Sequence, residues 1–232
     1  MHKTAGETPP TVSYSVAQVS RRLYQIKTKV SDALCEPLTG CRAHLQLCPS
    51  PRPGWTAGQI PANANPAAVL VLIYPVEDVP HFVLTVRTSQ LNRHAGQISL
   101  PGGMVEKDET IRNTALRETC EELGVDKTQI GLIGDLSALY IPVTNIALYP
   151  VVGFSDRPLR FLPSKDEVGR VVQVPLTELA DQNNFRHGTR LRKGQCYRVP
   201  YFALQEERVW GATAMVLSEF LDVLGMSQKN SC

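Results

Sequence analysis

Three glutamates, Glu118, Glu121 and Glu122, are spaced so that they could bind a cation together. Residues 110–123 contain neither glycine nor proline and are followed by Gly124, which predicts a short helix. On that helix the three carboxylates would share one face and repel one another, and no lysine or arginine follows four residues later to offset them. Taken alone, such a run is most often a solvated helix face. A divalent cation such as Mg²⁺, which prefers carboxylate oxygens, would offset the repulsion.

The elements that must position these carboxylates read as an α/β fold. The apolar runs at 67–74 and 81–87 predict two strands before the helix, and Gly102 and Gly103 permit a close approach of the backbone to a metal. Further strands are predicted at 129–139, 148–154, 168–174 and 195–204, and helices at 176–181 and 212–224. The apolar side of the glutamate helix, which would pack on the core, carries Ala115, Leu116, Thr119, Cys120 and Leu123.

The pattern around the helix is more specific than the glutamates alone. It consists of Gly103, Glu109, Arg117-Glu118, Glu121-Glu122 and Gly124-Val125 at fixed spacing. This pattern resembles the Nudix box, the signature of hydrolases that split nucleoside diphosphates linked to another moiety. The resemblance implies a Nudix-type α/β/α sandwich with a mixed β-sheet. It also implies a bound Mg²⁺ or Mn²⁺, with Glu118, Glu121, Glu122 and the Gly103 carbonyl as its ligands.

The resemblance implies roles for the remaining residues as well. Arg117 would orient a glutamate, and Glu109 would secure the loop before the helix. The general base would be Glu121 or Glu167, which lies on a later loop. One position departs from the usual box, since Thr119 stands where the family has an aliphatic residue. Threonine is close to valine in shape, and its hydroxyl can bond to a carbonyl of the preceding helical turn.

A second resemblance covers residues 84–103, just upstream of the box. This stretch is similar to the signature of coenzyme A pyrophosphatases. Three positions depart from that signature, namely Thr88, Asn92 and Leu100. Asn92 stands where the signature has an arginine, and the next residue, Arg93, could take the place of that arginine. The positions that match are Leu84, Thr85, Arg87, Gly96, Pro101, Gly102 and Gly103.

The substrate-binding residues implied by this signature lie one loop ahead of the helix. They are Arg87, Arg93, Gly96 and Gln97, with His94 beside them. Arginine binds phosphate with two parallel hydrogen bonds, and coenzyme A presents a pyrophosphate and a 3′-phosphate. The alternative for Arg87 is a surface residue at a strand end.

The two resemblances together imply a metal-dependent hydrolase of coenzyme A or acyl-coenzyme A. Its products would be 3′,5′-ADP and 4′-phosphopantetheine or the acyl form of the latter. Two alternatives remain open. The substrate could be another nucleoside diphosphate derivative, such as ADP-ribose or NADH, or the chain could be a binding module that has lost turnover. Such modules usually lose glutamates of the box, and this chain retains them all.

Composition bounds the partners and the compartment. The chain has 232 residues, 43% of them hydrophobic, and a net charge of +2, which gives no overall attraction to nucleic acid or to an anionic membrane. No apolar run approaches the length of a membrane span. The six cysteines form no pattern with histidine that is typical of zinc, so we expect reduced thiols. We expect the protein to be cytoplasmic and to be a monomer or a homodimer.

Three regions are expected along the chain. Residues 1–60 would form an N-terminal extension with one amphipathic helix, at about 15–34, and a proline-rich linker, at 49–66. Residues 61–226 would form the catalytic domain, and residues 227–232 a tail. If the extension only packs outside the catalytic core, a chain beginning near Pro61 would remain soluble and active.

Overall fold

The computed structural model describes residues 16–88, 96–192 and 194–226. Its larger sheet is built on β1 (Asn65–Val76), which pairs antiparallel with β2 (Val79–Arg87) and parallel with β7 (Ile146–Phe154). The strand order is β3-β2-β1-β7-β5. Three more strands join this sheet, as β4 pairs with β1, β6 with β7 and β8 with β2. The bounds of these strands are β3 Ile98–Ser99, β4 Gly102–Met104, β5 Gly131–Asp135, β6 Leu139–Ile141 and β8 Val168–Pro175.

Helices cover both faces of this sheet, which is why β1 reads as a continuous apolar run. Leu70, Leu72 and Tyr74 face a core cluster shared with α3 (Ile111–Leu123). Val71 and Ile73 face the main core, which contains α5 (Gly211–Val223), while α4 (Leu176–Ala180) follows β8. The predicted α/β/α sandwich with a mixed sheet is confirmed.

A second sheet of three strands, in the order β11-β10-β9, packs against α5. Its strands are β9 (Phe185–Arg192), β10 (Gln195–Leu204) and β11 (Glu207–Trp210). Only β10 was predicted, because the arginines of β9 interrupt any apolar alternation and β11 is short. The single strand predicted at 129–139 is wrong, since β5 ends at Asp135 and the chain then turns into β6.

The N-terminal extension contains two helices where the sequence predicted one. α1 (Val16–Ala33) matches the predicted helix, and α2 (Cys41–Gln46) follows it. Leu23, Val30 and Leu47 are buried in the main core cluster. The extension therefore packs on the catalytic core, and its division from the core at residue 61 stays a proposal. Residues 1–15 and the tail at 227–232 lie outside the described ranges.

A buried carboxylate joins this extension to α5. Glu219 accepts hydrogen bonds from the backbone N–H groups of Gly40 and Ser137, each at 3.0 Å, and its Oε2 lies 3.3 Å from His44 Nε2. Burial acts to raise the pKa of Glu219, but the hydrogen bonds from His44 and Ser137 prevail and hold it below its ordinary value. Nowhere in the part of the chain that the structure describes is a helix both long and apolar enough to span a bilayer.

Candidate active site

The glutamate helix α3 has well-defined ends. Thr110 Oγ1 accepts the N–H of Asn113 at 3.2 Å, and Gly124 ends the helix in the left-handed conformation with φ +64°. A side chain at Gly124 would also collide with the backbone, because its Cβ would lie 2.2 Å from the Leu162 carbonyl oxygen. The predicted apolar side packs on the core as expected. Thr119 fits there because its hydroxyl donates to the Ala115 carbonyl at 2.7 Å, as predicted.

Two glycines of β4 allow the sheet to approach the carboxylates. At Gly103 a Cβ would lie 2.3 Å from Glu118 Cδ, so any larger residue would displace that carboxylate. At Gly102, where φ is +149°, a Cβ would lie 2.2 Å from the Ala68 carbonyl oxygen. The Gly102 N–H also donates to Glu122 Oε2 at 3.4 Å. The paired glycines therefore bring the backbone of β4 against two of the three glutamates.

Arg117 compensates the charge of the glutamates. Its Nη1 donates to Glu118 Oε1 and to Glu121 Oε2, each at 3.0 Å. Its Nε and Nη2 donate to the two oxygens of Glu109, at 2.9 and 3.0 Å. These bonds raise the pKa of Arg117 and, with a bond from the Thr114 hydroxyl, lower the pKa of Glu109 to about 2. The expectation of an uncompensated face is wrong, because the arginine precedes the glutamates instead of following them.

Glu122 is the most buried of the three glutamates. Only 6% of its surface is accessible to solvent, and burial raises its pKa from 4.5 to about 8. Burial also raises the pKa of Glu118, against the effect of its bond with Arg117. The 3.4 Å bond from the Gly102 N–H does not offset the burial of Glu122, so this carboxylate is costly to ionise and its position is suited to a group that a cation neutralises.

We predict that the metal-free protein loses stability as the pH rises from about 5 to about 8. Because the pKa of Glu122 is raised to about 8, the folded protein retains a proton in this range that the unfolded chain has released. In EDTA, Tm should fall by on the order of 10 °C across this range, and Glu122→Gln should remove most of the fall. Thermal melts of both proteins test this, and an equal fall in the variant would contradict it.

Glu167 lies on the loop before β8 and faces the same cluster. Its charge helps to raise the pKa of both Glu118 and Glu122. Two backbone bonds fix the loop, since the Thr88 N–H donates to the Glu167 carbonyl at 3.0 Å and the Glu167 N–H to the Ser164 carbonyl at 3.2 Å. Both residues suggested as the general base are exposed. Glu121 lies on the helix beside Glu118 and Glu122, and Glu167 lies on the facing loop.

Arg87 lies at the end of β2, close enough to Glu122 to act against the rise in its pKa. The Arg87 Nε is buried and has no hydrogen-bond partner within the described ranges. Two backbone bonds close the loop that follows, because the Arg87 N–H donates to the Gln97 carbonyl and the Gly96 N–H donates to the Arg87 carbonyl, each at 3.1 Å. Arg93, inside that loop, lies outside the described residues, as does His94.

The donor set suits a hard divalent cation. Glu118, Glu121, Glu122 and the Gly103 backbone offer only oxygen atoms, which such ions prefer. With Arg117 bonded to two of these carboxylates, no three acidic, imidazole or thiol groups of the described chain converge closely enough to enclose an ion. Arg117 occupies one oxygen of Glu118 and one of Glu121, which leaves the other oxygen of each carboxylate free of Arg117.

Two contributors to this network were missed in the sequence. Thr114 is fully buried, and its hydroxyl donates to Glu109 Oε2 at 2.7 Å. The other is the Gly102 N–H, which bonds Glu122. The position of Thr114, one helical turn before Arg117 on α3, was a usable signal. The backbone bond had no signal in residue types, since any residue but proline carries an N–H.

Sequence similarity to known proteins covers most of the chain. A family model described as NUDIX domain matches residues 64–193. A Pectobacterium atrosepticum protein named "Uncharacterized Nudix hydrolase NudL" is 36% identical over 179 residues, which cover 77% of this chain and 88% of that protein. The human mitochondrial coenzyme A diphosphatase NUDT8 is 36% identical over 168 residues, 70% of this chain and 71% of that protein. The crystal structure of the Nudix hydrolase RenU from M. smegmatis has a TM-score of 0.43 at 23% identity and covers 51% of this chain and 74% of that one.

Proposed function

This chain belongs to the Nudix hydrolase family, and from that membership we propose that it hydrolyses the pyrophosphate bond of coenzyme A or acyl-coenzyme A. Pyrophosphohydrolase activity, in a family that generally uses divalent metal ions, follows from the membership itself. The substrate is the proposed part. The products would be 3′,5′-ADP and 4′-phosphopantetheine, or its acyl form.

The observation that carries this proposal is the state of Arg87. Its buried Nε has no hydrogen-bond acceptor within the described ranges. The side chain lies near the buried carboxyl of Glu122. A buried donor without a partner is costly, and such groups are rare in folded proteins. A phosphate oxygen of the substrate would supply the acceptor. The similarity to a coenzyme A diphosphatase supports the coenzyme A signature that contains this arginine.

The roles of the carboxylates follow from their environments. A bound Mg²⁺ or Mn²⁺ would neutralise phosphate charge and lower the pKa of an attacking water. Glu118, half-buried where Gly103 leaves room for it, and Glu122, buried and bonded to the Gly102 N–H, would be the inner ligands, whereas Glu121 and Glu167 are exposed. Either of these two can take the proton from water. Arg117 positions Glu118 and Glu121 through its Nη1.

We predict that Arg87→Ala lowers kcat/KM for coenzyme A by roughly tenfold to a hundredfold. The substitution removes a charge-assisted hydrogen bond to phosphate, worth about 1.5–3 kcal/mol. If the contact is to the 3′-phosphate, 3′-dephospho-coenzyme A should be affected much less. If the contact is to the pyrophosphate, both substrates should be affected alike. Steady-state kinetics on the two substrates measure the difference.

Arg157→Ala is the matched control for this prediction. Arg157 is exposed and follows β7 at the opposite end of the sheet, where Phe154 pairs with Ile73. The Arg157→Ala substitution removes the same charge as Arg87→Ala and should leave kcat/KM unchanged. If Arg87→Ala also leaves kcat/KM unchanged for both substrates, Arg87 is a surface residue and the coenzyme A signature is not the specificity element.

One assay tests the substrate and its alternatives together. The protein is incubated with coenzyme A, ADP-ribose or NADH in Mg²⁺ or Mn²⁺, and the products are separated by chromatography. We expect 3′,5′-ADP from coenzyme A at a higher kcat/KM than AMP from the other two. Preferred cleavage of ADP-ribose or NADH would identify a different Nudix substrate, and no product from any substrate would indicate a binding module.

The proposal also covers the compartment, the partners and the assembly. We propose a cytoplasmic protein, since the five cysteines within the described ranges are not in disulfides. The partner is a small nucleotide substrate, and the net charge of +2 gives no overall attraction to nucleic acid or to a membrane. A monomer or a homodimer remains the prediction for the assembly.

A further inference from the structure

The small sheet carries a concentration of arginine that the net charge of the chain conceals. Its three strands contain five arginines and one acidic residue, Glu207, whereas the whole chain has a net charge of only +2. Glu207 is engaged in an ion pair with Arg170. The arginines are Arg186, Arg190, Arg192, Arg198 and Arg208.

Strand register separates an apolar face from a charged one. Phe202 pairs with Phe185 on one side and with Val209 on the other, and these three side chains belong to the main core. The neighbouring residue Tyr201 pairs with Arg186 and Trp210, so these side chains point away from the core. We call this outer side the arginine–aromatic face, defined by Arg186, Arg190, Tyr201, Arg208 and Trp210.

Planar groups are stacked on this face. The guanidinium of Arg190 lies over the Trp210 ring, 4.8 Å from its centroid, and that of Arg208 lies over the Tyr201 ring at 5.0 Å. Both arginines are exposed. Within the described ranges neither they nor Arg186 forms an ion pair with a carboxylate.

An open groove of about 510 Å³ adjoins the Arg208–Tyr201 stack, a size that suits a small ligand. Arg186, Tyr201 and Arg208 line it. Three glutamates, Glu178, Glu206 and Glu207, line it as well. Glu207 pairs with Arg170, and Glu178 accepts bonds from the backbone and side chain of Gln205. The groove therefore offers arginines without ion-pair partners beside an aromatic ring.

This combination fits a nucleotide better than other anions. A base stacks on an aromatic ring or on a guanidinium plane, and arginine forks bind phosphate. An inorganic anion would not need the rings, and a membrane surface would favour exposed apolar side chains. The position also fits, because β11 lies against β3, the strand that leads from the loop after Arg87 to Gly102 and Gly103.

We propose that the arginine–aromatic face is a nucleotide-binding surface. The base stacks on the Arg190–Trp210 pair, and phosphate binds Arg208 and Arg186. Two sources share this chemistry, namely the nucleotide end of the substrate and a nucleotide within a single-stranded RNA. The first source rests on the proposed function, while the binding itself does not, since it requires no turnover.

Fluorescence of Trp210 provides the test, because Trp55 is the only other tryptophan of the chain. The full chain carrying Trp55→Phe is titrated in EDTA with 3′,5′-ADP, AMP, oligoadenylate and inorganic phosphate. We expect saturable quenching by nucleotides and not by phosphate. Arg190→Ala and Arg208→Ala should each weaken nucleotide binding roughly tenfold or more, and the exposed Arg157→Ala should not. Calorimetry on proteins that retain Trp55 provides a second measurement, should Trp55→Phe disturb the fold.

The outcomes separate this proposal from the proposed function. Tighter binding of 3′,5′-ADP than of oligoadenylate, per nucleotide, supports the substrate as source, and the reverse supports an RNA strand. No nucleotide binding, equal binding by phosphate alone, or unchanged binding in both arginine variants would overturn the proposal, even if coenzyme A is hydrolysed. Nucleotide binding without hydrolysis of coenzyme A would overturn the proposed function and uphold this surface.

Discussion

Glu122→Gln should lower turnover by roughly a hundredfold or more and leave the fold intact. The glutamine retains the shape and can still accept the Gly102 N–H bond, which the carboxylate accepts at 3.4 Å. It lacks the negative charge that a divalent cation requires, and the charge stabilisation a metal supplies in the transition state is worth several kcal/mol. The burial of Glu122 adds to the effect, because water cannot readily replace the lost ligand oxygen.

The measurement is kcat at several metal concentrations, with circular dichroism as the check on folding. Glu106→Gln is the matched control, since Glu106 is exposed, lies on the loop before α3 and loses the same charge. It should retain the wild-type rate. Near-normal turnover of Glu122→Gln at ordinary metal concentrations would show that this carboxylate is not a metal ligand.

A chain beginning at Pro61 should fail to fold stably. Such a chain lacks Leu23, Val30 and Leu47, which are buried in the main core, and each is worth about 1.5–3 kcal/mol when fully buried. It also leaves the buried Glu219 without the hydrogen bonds from Gly40 and His44, which is costly for a charged group. These losses together are comparable with the whole stability of a domain, about 5–15 kcal/mol.

Solubility and a thermal melt of the shortened chain measure this expectation. A cooperative melt near the wild-type Tm would show instead that the extension is an appendage of an independent domain.

Two leucines at the C-terminal end of α2 provide a matched pair of substitutions for the same point. Leu47, directly after the helix, is 1% exposed, and Leu45 within it is 54% exposed. Leu47→Ala should destabilise the protein by about 2–5 kcal/mol, and Leu45→Ala by less than about 0.5 kcal/mol. Equal effects of the two would mean that the packing of the extension contributes little.

The local features of the glutamate helix were predictable from sequence because they depend on neighbouring residues. Its ends, at Thr110 and Gly124, follow from a capping hydroxyl and a residue that adopts positive φ readily. The same holds for the hydroxyl bond of Thr119 to the preceding turn. The central strands β1 and β2 were equally predictable, because a strand covered on both faces is a continuous apolar run.

The electrostatics of the site were decided by tertiary structure. The sequence displayed three like charges, but which of them is buried depends on how α3 lies against β4. That packing buries Glu122 and raises its pKa to about 8, while Glu121 remains exposed. Glu167, 45 residues after Glu122 in the chain, joins the cluster only because the loop before β8 is bonded to Thr88.

The role of the first sixty residues also depended on tertiary structure. The period of α1 indicated an amphipathic helix, but periodicity does not identify the surface that covers the apolar side. In the fold α1 contacts α5 and β5, while α2 packs on α5, where His44 bonds Glu219. Likewise, the alternation of arginine and aromatic residues in β9 to β11 has meaning only after strand pairing brings them onto one face. Local spacing of residue types was enough to predict the box and the fold class. Burial, charge coupling and shared surfaces required the whole chain, because they arise between segments far apart in sequence.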